Sequence, residues 1–215
     1  MKRILTAIVL IFLLPMLLLG QESQKRILFF GDSITAGYGV GEENAFPAFI
    51  QQKIDSLGWN FKAVNGGSSG ETSAGGLSRI DWMLRQPVSV FVLELGGNDG
   101  LRGIDLNTTK KNLQNIIDRV EAKYPDARII ITGMQVPPNL GPDYTTKFKE
   151  IYPDLAKENN AELIPYFLDE LGGNSELMQS DGIHPTEAGH RLLAEKTWKV
   201  LKPILKSKRA ENHTN

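Results

Sequence analysis

Four short polar blocks in the sequence carry the residue types that a hydrolytic site uses. They are Gly31-Asp32-Ser33, the loop around Gly70, Gly97-Asn98-Asp99 and Asp181-Gly182-Ile183-His184. A serine hydroxyl becomes a nucleophile only when a neighbouring base takes its proton. The blocks therefore predict an activated serine at Ser33, provided that the chain also offers a base.

His184 is the leading candidate for that base. Of the three histidines, His213 lies in the C-terminal tail, and His190 falls within the last predicted helix, where a surface position is expected. His184 lies in the loop before this helix, three residues after Asp181. The spacing lets the Asp181 carboxylate reach one ring nitrogen, which would fix the tautomer and stabilise an imidazolium.

Ser33, Gly70 and Asn98 are candidates for an oxyanion hole. A tetrahedral acyl intermediate carries a negative oxygen, and donors that are already in position stabilise it. Asn98 can donate through its side-chain amide, and Ser33 and Gly70 through their backbone N–H groups. Each residue also has an ordinary structural interpretation: a helix or turn cap for Ser33, a turn residue for Asn98, and a loop glycine for Gly70.

The elements that must position these blocks alternate between strands and helices. Apolar, β-branched stretches predict strands at 26–30, 61–64, 88–95, 127–132 and 162–165. Amphipathic spacing predicts helices over 44–57, 72–85, a segment ending near 124, 143–159 and a last helix from about 186. The alternation predicts a three-layer α/β/α, flavodoxin-like sandwich with a central, mainly five-stranded parallel sheet. Ligands bind beyond the carboxyl ends of such strands, where the polar blocks lie.

The composition excludes several other classes of site. The chain has 215 residues, 41% of them hydrophobic, which suits one domain with a sizeable core. A net charge of −1 argues against an electrostatic nucleic-acid binder. With no cysteine and only three histidines, a thiolate nucleophile, an iron–sulfur cluster and a multi-histidine metal site are disfavoured.

The N-terminal segment has the pattern of a secretory signal peptide. Lys2 and Arg3 precede an apolar run over 4–19, and Gly20 comes before a polar stretch. We expect residues 1–20 to be a signal peptide, with an uncleaved anchor as the alternative, and the mature protein to be periplasmic or secreted. Residues 21–215 are then one domain, with a polar tail that is expected to be disordered after about 207.

Taken together, the blocks resemble the SGNH (GDSL-type) hydrolase superfamily over most of the mature chain. Gly31-Asp32-Ser33 is similar to its nucleophile block, with Ile34 where the GDSL motif has leucine. Gly70, Gly97-Asn98-Asp99 and the Asp181–His184 segment match its other three blocks. The stretch 92–103 looks closest to the acyl-CoA thioesterase, lysophospholipase and arylesterase branch.

The resemblance implies a serine esterase with Ser33 as nucleophile, His184 as base and Asp181 as its orienting acid. It implies an oxyanion hole of Ser33, Gly70 and Asn98, no metal and no organic cofactor. The partner would be a small-molecule or lipid ester. No nucleic-acid partner and no stable membrane insertion after signal removal are expected, and a monomer is the default.

The sequence constrains the substrate less than the chemistry. The stretch after the fourth strand is similar to the family's substrate-facing loop, whose candidate residues are Val136, Pro137, Pro138 and Leu140. Export would favour lysophospholipids or diffusible esters over thioesters of coenzyme A. The alternatives are a carbohydrate O-acetyl esterase, with Tyr38 and Tyr144 to stack sugars, a ligand-binding protein without activity, and a flavodoxin-like nucleotide binder.

Overall fold

Five parallel strands form the sheet of this protein, seen in a computed structural model that describes residues 24–211. Their order across the sheet is β2-β1-β3-β4-β5. The bounds are β1 Lys25–Gly31, β2 Phe61–Gly67, β3 Val90–Glu94, β4 Arg128–Thr132 and β5 Glu162–Ile164. The strand order reverses between β1 and β3, so the carboxyl ends of these two strands border the crevice where ligands bind in such sheets.

Helices connect the strands and cover both faces of the sheet. Their bounds are α1 Ser33–Ala36, α2 Phe46–Ser56, α3 Ser73–Met83, α4 Gly97–Leu101, α5 Leu106–Lys123, α6 Pro142–Glu158 and α7 Glu187–Glu211. Two 3₁₀ turns, Glu42–Asn44 and Pro138–Leu140, complete the regular structure. The repeated strand–helix order makes the parallel sheet possible, because each parallel pair needs a crossover.

Two apolar layers hold the helices against the sheet. Successive side chains of β1 point to opposite faces, as a strand requires. Ile27 and Phe29 pack with the apolar faces of α2 and α7, whereas Leu28 and Phe30 pack with those of α3, α5 and α6. The predicted three-layer α/β/α sandwich is thereby confirmed.

The structure differs from the sequence-based expectations at two short helices. The residues after β1 and β3 form the short helices α1 and α4, which are not among the helices that the sequence predicts. A helix of four or five residues is too short to show hydrophobic periodicity, so the sequence can indicate only its capping residue. Asp32 caps α1, since its side chain accepts from the Ile34 N–H.

The last helix also differs, because α7 continues to Glu211, past the position where a disordered tail is expected. Lys208 is buried, and its Nζ donates to the Asp126 carbonyl at 2.8 Å. The Arg209 guanidinium lies 5.0 Å from the centre of the Trp59 ring. These contacts bind the final turn to the body of the domain. Residues 208–211 are thus part of α7 rather than of a disordered tail after about 207.

The predicted signal peptide, residues 1–20, lies outside the described residues. Within 24–211, no helix combines the length and the hydropathy that a membrane span requires.

His190 is buried rather than on the surface, so the sequence-based expectation for it is wrong. Its side chain is fully covered, and Nδ1 accepts from the Phe46 N–H at 3.3 Å, at the start of α2. Nε2 has no partner among residues 24–211. Burial lowers the pKa of His190 to about 4. The position of a polar residue within a helix does not by itself show whether its side chain lies on the buried face.

The buried imidazole is expected to make the protein less stable as the pH falls. The unfolded chain binds a proton on His190 near pH 6.5, but the folded protein does so only near pH 4, so stability present above pH 6.5 is lost on acidification. Between pH 7 and pH 5, this difference in proton binding lowers the free energy of unfolding by about 2 kcal/mol. His190→Gln, which can still accept from Phe46, should remove this part of the pH dependence in urea unfolding. An equal loss in both proteins would contradict the assignment.

Candidate active site

The nucleophile block lies where β1 passes directly into α1. Gly31 ends the strand, Asp32 caps the helix and Ser33 is its first residue. The turn is tight, since a Cβ added at Gly31 would lie 2.2 Å from the Thr35 Oγ1 and 2.4 Å from the Glu94 carbonyl oxygen. Glycine is therefore required at this position, and the turn holds Ser33 at the carboxyl edge of the sheet.

Ser33, His184 and Asp181 are joined by hydrogen bonds. The Ser33 Oγ lies 2.9 Å from the His184 Nε2, and the His184 Nδ1 lies 2.7 Å from the Asp181 Oδ2. Because an ionised carboxylate only accepts, Nδ1 carries the proton and Nε2 is free to accept from the serine. The structure thus brings together the three residues that the sequence predicts, across 151 positions of the chain.

Asp181 also shapes the loop that presents His184. Its second oxygen, Oδ1, accepts from the backbone N–H groups of Ile183 at 2.9 Å and His184 at 3.0 Å. One carboxylate oxygen of Asp181 therefore contacts the His184 ring, and the other accepts from the backbone of the loop. The hydrogen bonds from the His184 ring, and from the two backbone N–H groups, lower the pKa of Asp181 to about 2. The carboxylate is ionised at neutral pH.

The loop is held from a second direction by Gln179 and Tyr38. The Gln179 Nε2 donates to the carbonyl oxygens of Tyr38 at 2.8 Å and Pro185 at 2.9 Å. The Tyr38 ring lies on the imidazole, with 4.5 Å between ring centroids. These contacts limit the rotation of His184 and keep it over Ser33.

Asn98 lies in α4, directly beyond β3. Its Nδ2 donates to the Asp32 Oδ2 at 3.2 Å, which places the amide beside the residue that precedes Ser33. The next residue, Asp99, is buried and accepts from the Ser73 N–H at 2.7 Å and the Ser73 Oγ at 2.5 Å. The contacts between Asp99 and Ser73 fix α4 against the start of α3 and thereby fix the position of Asn98.

Gly70 has φ of +77°, a conformation that favours glycine. Its carbonyl accepts from the Arg102 guanidinium at 3.0 Å, and the same nitrogen lies 3.5 Å from the Asn98 Oδ1. Arg102 therefore links Gly70 to Asn98. The backbone N–H of Gly70 has no acceptor in the part of the chain that the structure describes. No hydrogen bond joins Gly70 to Ser33 among those residues.

An apolar cavity of about 280 Å³ adjoins the three hydrogen-bonded residues. Ser33, Asn98 and His184 line one side of it. The side chains that line the rest are mostly apolar: Leu101, Met134, Val136, Pro137, Leu168, Met178 and Ile183. Such a cavity suits an acyl chain attached to a carbonyl at Ser33.

The four predicted substrate-loop residues separate in the structure. Val136 and Pro137 line the cavity. Pro138 starts the 3₁₀ turn, and Leu140 ends it with a side chain that is exposed and close to Gly103 rather than in the cavity lining. The 3₁₀ turn begins directly after Pro137, and Leu140 at its end lies outside the cavity lining, which the sequence did not indicate.

Sequence reasoning missed the opposite wall of the cavity. Leu168 and Met178 come from the segment between β5 and α7, where neither residue has a distinguishing pattern. The only feature of the sequence that could have indicated them is their position, because this segment also follows a strand and leads to His184. Tyr38 was predicted only as a sugar-stacking residue. Tyr144, the other sugar candidate, is partly buried and donates to the Ile104 carbonyl at 2.8 Å.

Comparisons with known proteins show which family the chain is similar to. Residues 29–192 match the model of the GDSL-like lipase/acylhydrolase family. The chain is 38% identical over 190 residues to the esterase TesA of Pseudomonas aeruginosa, covering 88% of this chain and 94% of that protein. It is 38% identical over 180 residues to the thioesterase 1/protease 1/lysophospholipase L1 of Escherichia coli K12, covering 83% and 84%.

A solved structure shares the fold as well as the sequence. The psychrotrophic esterase EstA from Pseudoalteromonas sp., in a form inhibited by monoethylphosphonate, superimposes with a TM-score of 0.79. The identity is 32%, and the match covers 85% of this chain and 99% of that one.

Proposed function

This chain belongs to the GDSL-like lipase/acylhydrolase family, and from that premise we propose that it hydrolyses carboxylic esters through an acyl-enzyme on Ser33. It is an esterase or thioesterase of the group to which its relatives belong. One observation carries the proposal for the residues: the hydrogen-bonded series from Ser33 through His184 to Asp181, at 2.9 and 2.7 Å, beside an apolar cavity.

The first half of the reaction forms the acyl-enzyme. The Ser33 Oγ attacks the ester carbonyl while the His184 Nε2 takes its proton. Asp181 stabilises the imidazolium that results, because it already accepts from Nδ1 and is ionised at neutral pH. The imidazolium then gives the proton to the leaving alcohol or thiol, and the C–O or C–S bond breaks.

The second half releases the acid by the same groups. Water enters where the alcohol left, and the His184 Nε2 takes a proton from it as it attacks the acyl carbonyl. The imidazolium then returns this proton to the Ser33 Oγ as the bond between the acyl carbon and Oγ breaks, and the acid leaves. In both halves the carbonyl oxygen becomes negative. We assign its stabilisation to the backbone N–H groups of Ser33 and Gly70 and to the Asn98 amide. The unused N–H of Gly70 supports that assignment.

The cavity supports acyl groups longer than acetyl. Its lining is mostly apolar, and its volume of about 280 Å³ accommodates several methylenes beside the reacting carbonyl. A site for acetylated sugars would instead need exposed polar and aromatic side chains around the serine. Of the two candidate tyrosines, Tyr144 does not meet that need, because its hydroxyl is bound to Ile104, and only Tyr38, which is exposed beside His184, is left for such a contact. We therefore propose medium-chain esters and lysophospholipids as the substrate class.

Export is a proposal that rests on residues 1–20 alone. A protein carried out of the cytoplasm would meet lysophospholipids and diffusible esters rather than acyl-CoA. Turnover of lysophosphatidylcholine and of an acyl-CoA by the purified protein separates these substrates. Activity on acyl-CoA only would contradict the lysophospholipid assignment.

Acyl-chain preference provides a second test of the substrate class. Each methylene buried in the cavity is expected to raise kcat/KM about fourfold, until the cavity is full. Leu168→Phe, which fills the cavity, should abolish this gain for p-nitrophenyl hexanoate and octanoate, and leave the acetate unchanged. Leu140→Phe is the matched control outside the lining. A preference for acetate in the unmodified protein would favour a sugar O-acetyl esterase instead.

A further inference from the structure

The carboxylate of Asp32 is buried beside the nucleophile and is not part of the Ser33–His184–Asp181 series. It is only 2% exposed. Its Oδ1 accepts from the Ile34 N–H at 3.1 Å, and its Oδ2 accepts from the Asn98 Nδ2 at 3.2 Å. Burying a carboxylate is costly unless its oxygens are satisfied, so these two donors define what Asp32 does.

The Asn98 amide is held at both of its ends. A carboxylate only accepts, and a guanidinium only donates. Asp32 therefore requires the Asn98 nitrogen on its side, and Arg102 requires the oxygen on the other, 3.5 Å away. A flipped amide would oppose donor to donor and acceptor to acceptor. One of the two Asn98 N–H bonds remains, and none of residues 24–211 accepts from it.

We propose that Asp32 is a positioning residue of the oxyanion hole, whose ionised carboxylate orients the Asn98 amide so that its second N–H points to the reacting carbonyl. The inference rests on the proposed function, because it assigns a role within that reaction. Asp32, Ser33 and Asn98 all line the cavity, but the Asp32 carboxylate accepts from Ile34 and Asn98 and acts on the reaction through Asn98.

The charges around Asp32 agree with this role. Burial raises the pKa of Asp32 to about 6, which leaves it ionised at neutral pH. The neighbouring Glu94 is completely buried, and burial raises its pKa well above the usual range. No hydrogen bond joins Glu94 to Asn98 within residues 24–211. The Glu94 Oε2 accepts from the Thr35 N–H and Oγ1, at 3.1 and 2.6 Å.

An amide cannot replace this carboxylate. In Asp32→Asn, one of the two side-chain atoms becomes an NH₂ group, whereas both Ile34 and Asn98 need an acceptor. If the oxygen stays on Ile34, the new NH₂ faces the Asn98 NH₂, and Asn98 must flip. A flipped Asn98 turns its oxygen, rather than a proton, toward the developing negative charge. Asp32→Ser keeps an oxygen for the helix cap but is too short to reach Asn98.

The test is a double-mutant cycle between Asp32 and Asn98, measured on p-nitrophenyl butyrate at pH 8. Asn98→Ala is expected to lower kcat by about 10²–10³. Asp32→Asn and Asp32→Ser should each lower kcat at least tenfold, with KM within about threefold. The double variant Asp32→Asn/Asn98→Ala should be no more than about threefold slower than Asn98→Ala alone, because Asp32 acts only through Asn98.

A tetrahedral inhibitor gives a readout that a purely structural role would not change. An alkyl trifluoromethyl ketone, which adds to Ser33 and presents an oxyanion, should bind at least tenfold more weakly to Asp32→Ser, while KM is preserved. Asp105→Asn is the matched control, because Asp105 caps α5 through Thr108 and does not contact Asn98. Its kcat should equal that of the unmodified protein.

Each outcome decides the inference. If Asp32→Asn does not fold, Asp32→Ser takes its place in the cycle. A kcat within threefold of the unmodified protein, or losses that multiply in the double variant, would overturn the role of Asp32 and leave the esterase intact. An unmodified protein without hydrolysis or serine labelling would overturn the proposed function itself.

Discussion

Ser33→Ala is expected to lower kcat by about 10⁶ and to abolish covalent labelling by a fluorophosphonate. The reason is that the acyl-enzyme has no other oxygen to form on. The Ser33 Oγ lies 2.9 Å from the His184 Nε2, and alanine leaves His184 without a nucleophile to activate. Peptide mapping of the labelled protein should find the modification on Ser33.

Ser56→Ala is the matched control for this variant. Ser56 lies at the end of α2, is exposed, and its Oγ donates to the Lys53 carbonyl. Its loss should change neither labelling nor turnover. The unfolding midpoint of Ser33→Ala should remain close to that of the unmodified protein, since the helix is capped by Asp32 rather than by Ser33. Labelling at another serine, or turnover that survives the change, would refute Ser33 as the nucleophile.

Asp181→Asn is expected to lower kcat by about 10⁴. The oxygen of the new amide would stay with the backbone N–H groups of Ile183 and His184, which both point at Oδ1. The amide nitrogen would then face the His184 Nδ1 as a donor, and the ring would carry its proton on Nε2. An imidazole in that tautomer cannot take the proton of Ser33.

The measurement for Asp181→Asn is kcat together with the thermal unfolding midpoint. Asp126→Asn, an exposed aspartate whose side chain makes no contact with the site, is the control and should retain full activity. A loss below about tenfold in Asp181→Asn would mean that the backbone of the loop alone orients His184. Asp181 would then be a turn residue only.

Much of the fold could be predicted because hydrophobic periodicity, and the residues at which helices and strands end, are local properties of the sequence. The five strands, their parallel arrangement and the five longer helices leave apolar patterns that are many residues long. The short helices α1 and α4 leave none, and the burial of His190 depends on the approach of α2 from 144 positions away. A pattern of residue types cannot show which polar side chain another helix will cover.

The site divides in the same way. Ser33, His184 and Asp181 could be predicted, because strand ends gather polar blocks at one edge of a parallel sheet. The wall formed by Leu168 and Met178 could not, since apolar residues in a loop have the same appearance whether they face a cavity or the core. Leu140 lies outside that cavity because it ends a 3₁₀ turn, and the sequence did not predict this turn.

The sequence by itself predicted the chemistry that we propose for this protein: a serine, a base with its acid, and donors for an oxyanion, in loops that follow predicted strands or precede the last helix. Residue types and spacing carry that information, because reactivity belongs to functional groups. Only the tertiary structure decided which atoms meet. It gave one oxygen of Asp181 to the loop and the other to His184, and it placed Asp32 against Asn98 across 66 positions. The contact between Asp32 and Asn98 depends on the pairing of β1 with β3 in the sheet, and no local pattern in the sequence records that pairing.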